Sequence, residues 1–397
     1  MQAAADAEAA LTAVFREEGG RLTALLVRTL GDFDIAEDIV QDALVVALER
    51  WPDEGIPEHP GAWLLTVARR RAIDRLRRDA RYRERLTLLD EPEQSVPDDR
   101  LRLIFTCCHP SLSREAQVAL TLRTVCGLTV AEIASAFLVP EATIAQRLVR
   151  ARRKIRAAGI PYRVPDPDEL NERLVEVLAV LYLMFNEGYL TSLGDSPERR
   201  DLAEDAEWLA ALLYRLMPTE PEVLGLLALI RLHRARAESR FDREGRLVLL
   251  RDQDRSRWDR GAITDAANLV VKASRMRRPG PYQLQAAIVA CHAESPSWEQ
   301  TDWLQILLLY DTLLRHDPSP VIRLNRAVAL RYVSGPAAAL VEVDALSESL
   351  GRYHLYHATR AELLRALGRT VEARHADVAA LQLTANPAER TLLEQRL

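Results

Sequence analysis

Lysine is almost missing from this chain. Of 397 residues only Lys154 and Lys272 are lysines, so basic charge rests on arginine. Cysteine is equally sparse: Cys107, Cys108, Cys126 and Cys291 are the only four, which excludes a disulfide framework in a chain of this length. No apolar run approaches the roughly 18 residues that span a bilayer, and no signal-peptide pattern opens the sequence, so the expected setting is cytoplasmic and reducing, with no membrane partner. Alternating apolar and polar runs are absent, which argues against sheet. No nucleophile–base constellation and no phosphate-cradling glycine loop appears, so the chain is not expected to be an enzyme or to carry a cofactor.

What remains is helix and segregated charge. Apolar residues make up 48 % of the chain, enough for sizeable cores, and the length suggests two or three domains. The formal net charge of −5 would by itself argue against nucleic acid, but it averages over opposite patches. From Trp63 to Arg85 there are nine arginines against Asp74, Asp79 and Glu84, and from Arg147 to Arg156 there are six basic residues and no acid. The first sixty residues lean acidic, with Glu17, Glu18, Asp32, Asp34, Glu37, Asp38 and Asp42.

Apolar residues recur at three-to-four spacing nearly everywhere, which predicts an all-α protein. A first helical block covers residues 1–86, and a polar linker covers 87–103. A second block covers 104–158. A proline-rich break covers 159–168, where Pro161, Pro165 and Pro167 cannot sit in a helix interior. A third helical block covers 169–397. In it Ala327, Leu330, Ala339 and Ala345 recur as Ala361, Leu364, Ala373 and Ala379. That offset of 34 is the period of tetratricopeptide (TPR) helix pairs, whose small residues let helices pack closely.

The second block reads as a helix-turn-helix. Thr129-Val-Ala-Glu132 is a capping box, Val130, Ile133 and Phe137 face inward, and Leu138-Val-Pro-Glu141 makes the turn. In the next helix Ile144, Leu148, Ala151 and Ile155 share one face. Thr143, Gln146, Arg147, Arg150 and Arg153 are left outward, where early positions meet base edges and later arginines meet phosphates. An earlier helix has Leu64, Val67, Ala68 and Leu76 as an apolar stripe, with Arg69, Arg70, Arg71, Arg75, Arg77 and Arg78 covering the rest. Trp63 at its start either packs in the core or stacks on an unpaired base. Before it, Ile35, Ile39, Val40 and Ala43 form the inner face of a helix whose outer ridge is Glu37, Asp38, Gln41 and Asp42, suited to a basic protein partner.

In this order and spacing the acidic ridge, the Ala62-Trp-Leu start, Ala72-Ile-Asp-Arg-Leu-Arg-Arg78 and the helix-turn-helix resemble the extracytoplasmic-function sigma factors of bacterial RNA polymerase, over residues 11–157. The resemblance implies a region 2 helical bundle at 1–86 and a region 4 helix-turn-helix domain at 104–158. It further implies core RNA polymerase as partner, through the β′ clamp helices and the β flap, and promoter DNA, with the ridge docking on the clamp helices. The helix from Trp63 to Arg78 would open and read the −10 element, and the helix-turn-helix would read the −35 element. One departure is Arg70, where the family carries Asn after Ala-Arg. Asp98-Asp-Arg-Leu-Arg-Leu-Ile-Phe-Thr-Cys-Cys-His-Pro110, Phe185-Asn-Glu-Gly-Tyr189, Leu250-Arg-Asp-Gln-Asp-Arg-Ser-Arg-Trp258 and Gly280-Pro-Tyr-Gln-Leu-Gln285 are similar to a subgroup with a long TPR-like C-terminal extension. In that subgroup the extension influences activity, which implies an intramolecular contact with the sigma domains.

Three features point elsewhere and are set aside. Cys107-Cys-His109 with Cys126 lacks the spacing of a zinc site, so the thiols are expected to be buried and structural. Asp252-x-Asp254-x-Ser256 lacks the glycine and glutamate of a calcium loop, at Arg257 and Ile263. Gly188 reads either as a helix C-cap or as lining for a contact with the preceding domains. Two other functional classes remain at this stage: a helix-turn-helix transcriptional regulator with a C-terminal sensor, and a TPR scaffold with no affinity for DNA.

Overall fold

Helix starts and stops follow local chemistry throughout the computed structural model, which describes residues 2–78, 99–137, 139–191, 202–244, 246–384 and 386–397. Most of the expected polar linker, up to residue 98, lies outside them, as does Leu138 of the expected turn. Among the described residues no strand is longer than the single bridge between Phe241 and Leu247. The chain divides into two compact units, 1–216 and 217–397. The division falls inside the third helical block, so the first two helices of that block belong with the helices before them.

The first unit begins with α1 (Gln2–Leu30), α2 (Phe33–Glu54) and α3 (Pro60–Arg78). Asp32 caps α2 by accepting the Asp34 and Ile35 amides at 2.9 and 3.2 Å. Ala36, Ala43, Ala47, Ala68 and Ala72 are fully buried, so the three helices approach closely around Leu26, Ile39, Val40, Trp51 and Leu64. Next come α4 (Arg100–Cys107), α5 (Arg114–Thr124), α6 (Val130–Ala136) and α7 (Glu141–Ala157). The capping box is present: Glu132 Oε2 accepts the Thr129 amide at 2.7 Å, and Thr129 Oγ1 accepts the Glu132 amide at 3.1 Å. Ile144, Leu148, Ala151 and Ile155 are all buried as one face of α7, and a fully buried aliphatic side chain of this size contributes roughly 1.5–3 kcal/mol.

The expected linker does not run as far as residue 103. Asp99 is 4 % exposed and stands between two cations, Arg28 Nε of α1 at 3.0 Å and Arg102 Nη1 at 2.7 Å. A carboxylate so deeply buried needs such partners. After the proline-rich break, α8 (Pro167–Thr191) and α9 (Leu202–Leu216) pair as a hairpin. Gly188 is not a C-cap: α8 continues through it to Thr191. A Cβ at 188 would lie 2.3 Å from the Ala203 amide nitrogen, so the glycine is what lets α9 close on α8.

In the second unit α10 (Pro221–Arg234) is buried along nearly its whole length, between α11 (Arg260–Arg275) and α12 (Pro281–Glu294). The Glu222 carboxylate of α10 caps α12 by accepting the Tyr282 and Gln283 amides at 2.9 and 3.1 Å. Cβ atoms at Gly225 and Gly280 would come within 2.5 and 2.3 Å of Gln283 N and the Glu222 carboxyl carbon, so this cap requires both glycines. The other end of α12 is also held: Arg255 Nη1 donates to the His292 carbonyl at 2.7 Å, and Arg260 Nη1 to that of Ala293 at 3.2 Å. The Leu250–Trp258 motif is thus a structural strap around buried Trp258. Its Asp254 carboxylate accepts from Ser256 N and Oγ at 2.9 and 2.7 Å.

Successive hairpins follow: α13 (Trp303–His316), α14 (Pro320–Ser334), α15 (Pro336–Asp344), the single turn α16 (Ser347–Leu350), α17 (His354–Ala366), α18 (Thr370–Leu383) and α19 (Pro387–Glu394). The 34-residue repeat is visible in the packing. Ala327, Ala339, Ala361 and Ala373 are all buried in one core. Arg326 and Arg360, also 34 apart, each pair with a carboxylate of an earlier helix, Asp311 at 2.6 Å and Asp344 at 2.7 Å. One expected member departs: Ala345 is exposed, and Ala376 and Ala380 take the buried positions beside half-buried Ala379.

Candidate nucleic-acid and protein interface

The outward face of α7 is where sequence spacing placed it. Thr143, Gln146, Arg150 and Arg153 are exposed and Arg147 is half-buried. All but Arg153 border a concavity rather than an open helix surface. The turn from Ser111 to Ser113 faces them across a groove of about 390 Å³ lined by Thr143, Gln146, Arg147, Arg150 and Lys154. Three hydroxyls, a carboxamide and three cations around one concave strip can accept a sugar–phosphate backbone. Ser111, Ser113 and Lys154 were missed by sequence reasoning, because the serines precede α7 by some thirty residues and only the fold brings them together.

On α3 the apolar stripe is confirmed for Leu64 and Ala68 and extended by Ala72, with Val67 half-buried. Trp63 is half-buried and packs edge-on against buried Trp51, ring centroids 5.6 Å apart, so it stands at the core boundary. Arg70, Arg71 and Arg75 are exposed and Arg69 is half-buried. The side chains of Leu76, Arg77 and Arg78 lie outside the described residues, although α3 itself runs to Arg78. Arg71 Nη1 reaches Asp42 Oδ2 at 2.8 Å, which ties the basic helix to the acidic ridge.

The ridge is divided. Asp38, Gln41 and Asp42 are exposed. Glu37 instead turns toward the helix-turn-helix, where Arg123 Nε of α5 donates to its Oε1 at 2.6 Å and Arg152 of α7 pairs with its other oxygen. Arg156 Nη2 lies 2.8 Å from Asp34 Oδ2 and 3.1 Å from Asp32 Oδ2, and Arg152 Nη1 is 3.4 Å from Asp34 Oδ1. The acids crowd the N-terminus of α2 and the arginines the C-terminal half of α7, so each set also suits the dipole of its own helix. Nearby, the Phe15 ring of α1 fits against Gly127, where a Cβ would come within 2.7 Å of it, and a Cβ at Gly20 would lie 2.6 Å from the Val125 carbonyl. The Tyr162 hydroxyl donates to the Ala24 carbonyl at 2.8 Å, and its ring meets Phe33 edge-on.

The back of the helix-turn-helix carries α8. Arg173 Nη2 donates to the Phe105 carbonyl at 2.6 Å, and Arg114 pairs with Glu176 at 2.9 Å. Cys107, Cys108 and Cys126 are buried. Burial pushes the Cys108 thiol up to about 12, beyond the reach of a thiolate reaction near neutrality. Burial and the neighbouring Arg173 cation lower His109. Among the described residues no group of His, Cys, Asp and Glu converges on a metal position, and no helix is long and apolar enough to cross a membrane.

Residues 14–82 match the model of Sigma-70 region 2, residues 102–155 that of Sigma-70, region 4, and residues 173–274 a family of unknown function (DUF6596). An uncharacterized protein of Rhizobium meliloti (strain 1021) is 46 % identical over 94 % of this chain and 91 % of its own length. The ECF RNA polymerase sigma factor SigL of Mycobacterium tuberculosis is 36 % identical over 38 % of this chain and 91 % of its own length. The ECF RNA polymerase sigma factor SigK of Mycolicibacterium vanbaalenii is 34 % identical over 38 % and 82 %.

Proposed function

Because the chain belongs to the extracytoplasmic-function family of RNA polymerase sigma factors, and so directs transcription initiation, we propose a division of labour among its surfaces. The outward face of α7, with Thr143, Gln146, Arg147 and Arg150 along the groove and Arg153 beside it, reads the −35 element, with Lys154, Ser111 and Ser113 on the adjoining backbone. The basic face of α3, with Arg69, Arg70, Arg71, Arg75, Arg77 and Arg78 and with Trp63 at its start, engages the −10 element. Asp38, Gln41 and Asp42, with Glu37 once it is released, dock on the β′ clamp helices, and the helix-turn-helix domain meets the β flap. The protein contributes binding and positioning, and the polymerase contributes the chemistry, in the cytoplasm where the polymerase works.

The extension acts through α8. That helix packs on α4 and α5 and holds them through the Arg173 and Arg114 contacts, so a change in α8 has a direct path to the helix-turn-helix.

The observation that carries this reading is the α7 groove, a concave cationic strip beside the expected base-reading positions. Photo-crosslinking tests it. A benzoylphenylalanine at position 146 in the polymerase complex is expected to crosslink near −35, and one at position 75 near −10. Crosslinks at neither place, or at exchanged places, overturn the assignment.

A further inference from the structure

The half of the acidic ridge that turns inward carries a consequence for promoter binding. Glu37 grips Arg152 of α7, and five residues further along the same helix Asp42 grips Arg71 of α3. Both DNA-reading helices are therefore tethered to one helix, α2. At 1.5 Å per residue, and with every helix segment and side chain laid end to end, Trp63 and Thr143 cannot be more than roughly 60 Å apart. Elements centred near −10 and −35 lie about 25 base pairs apart, or about 85 Å of straight B-form duplex. The described arrangement cannot span both.

We propose that the contact between α2 and the helix-turn-helix is an autoinhibitory latch. The carboxylates Asp32, Asp34 and Glu37, opposite Arg123, Arg152 and Arg156, hold the two DNA-reading domains together in the free chain. Opening the latch both separates those domains and exposes Glu37. This rests on the proposed docking of the ridge on polymerase, so the ridge is at once the seat of the latch and part of the docking surface. Arg152 and Arg156 point away from the groove face of α7, which leaves them free to hold the latch without reading DNA. The contact has a packed base as well: Phe15 against Gly127, Gly20 against Val125 and Tyr162 against Ala24 give it shape complementarity that loose surface pairs lack.

The test uses the full chain with Cys291→Ser and spin labels at two exposed positions, Leu48→Cys on α2 and Val149→Cys on α7. Pulsed dipolar spectroscopy is expected to give one short distance in this parent. Arg152→Glu is expected to populate longer distances and to tighten core polymerase binding, by about tenfold if the closed form outnumbers the open one tenfold. Arg156→Glu, at an exposed side chain whose loss does not threaten folding, is expected to shift both readouts less but in the same direction. Unchanged distances in both single variants overturn the latch. Longer distances with unchanged or weaker polymerase binding overturn its inhibitory role. The docking reading fails separately: Asp38→Arg lies outside the latch, and its normal binding to polymerase removes the ridge as a docking site while leaving the distance result standing.

Discussion

Arg28 Nε of α1 lies 3.0 Å from Asp99 Oδ2, at the first described residue after the connection between the two sigma-like domains. The carboxylate is 3 % exposed and the guanidinium 13 %, so neither has water to fall back on. Asp99→Asn is expected to destabilise the first unit by about 3 kcal/mol, because it leaves a buried arginine with half its compensation. Arg28→Met with Asp99→Leu is expected to recover most of that loss. Urea denaturation of the parent, of Asp99→Asn and of the double variant checks it, and a double variant no more stable than Asp99→Asn would contradict it.

The groove assignment makes an electrostatic prediction. Arg147→Ala and Arg150→Ala are each expected to weaken promoter binding. Each lost phosphate contact lowers the slope of log affinity against log salt by about 0.9. A titration across salt concentrations separates a lost phosphate contact from a lost base contact, which shifts affinity at constant slope. Neither change in either variant removes α7 from the interface.

Glycine at 225 is a requirement of the α10–α12 contact. A Cβ there meets the Gln283 backbone nitrogen at 2.5 Å, an atom that cannot swing aside without disturbing the Glu222 cap. Gly225→Ala is expected to cost about 1–3 kcal/mol, despite the better helix propensity of alanine. Thermal unfolding of the variant measures it, and a raised melting temperature would contradict it.

The second unit is expected to lose stability in mild acid. Burial, with Arg236 and Arg255 nearby, pulls His292 down to about 4 from an ordinary value of 6.5. The folded form thus holds its proton less tightly than the unfolded one. The stability is fully present above pH 6.5 and is lost as the pH falls toward 4, by on the order of 2–3 kcal/mol in all. His233, lowered by its burial and by Arg236 and Arg240, acts in the same direction. Stability measured against pH, with and without His292→Gln, checks this. An unchanged slope in the variant would contradict it.

The sequence disclosed what its local spacing encodes. The Thr129–Glu132 box is an i,i+3 relation, and the buried face of α7 is a run of three-and-four spacings, so both could be read before any coordinates. The alanines at 327, 339, 361 and 373 showed through a period. What stayed hidden depends on distant partners. Nothing around Glu37 announces Arg123, 86 residues away, and the same spacing that placed Glu37 on an outer ridge is satisfied whether that ridge meets solvent, a partner or α7. Gly188 read equally as a helix stop or as lining for a contact, because a glycine that admits another helix and one that ends its own are locally alike. Asp99 read as linker because one of its two cationic partners, Arg28, lies far back on α1.

The most direct test of the central claim is transcription itself. The full chain is added to core RNA polymerase on fragmented genomic DNA, and the 5′ ends of the transcripts are sequenced. Discrete new start sites that share two upstream motifs, lost together when Arg150→Ala and Arg75→Ala are combined, are the expected result. Specific DNA binding without any new start site would contradict it.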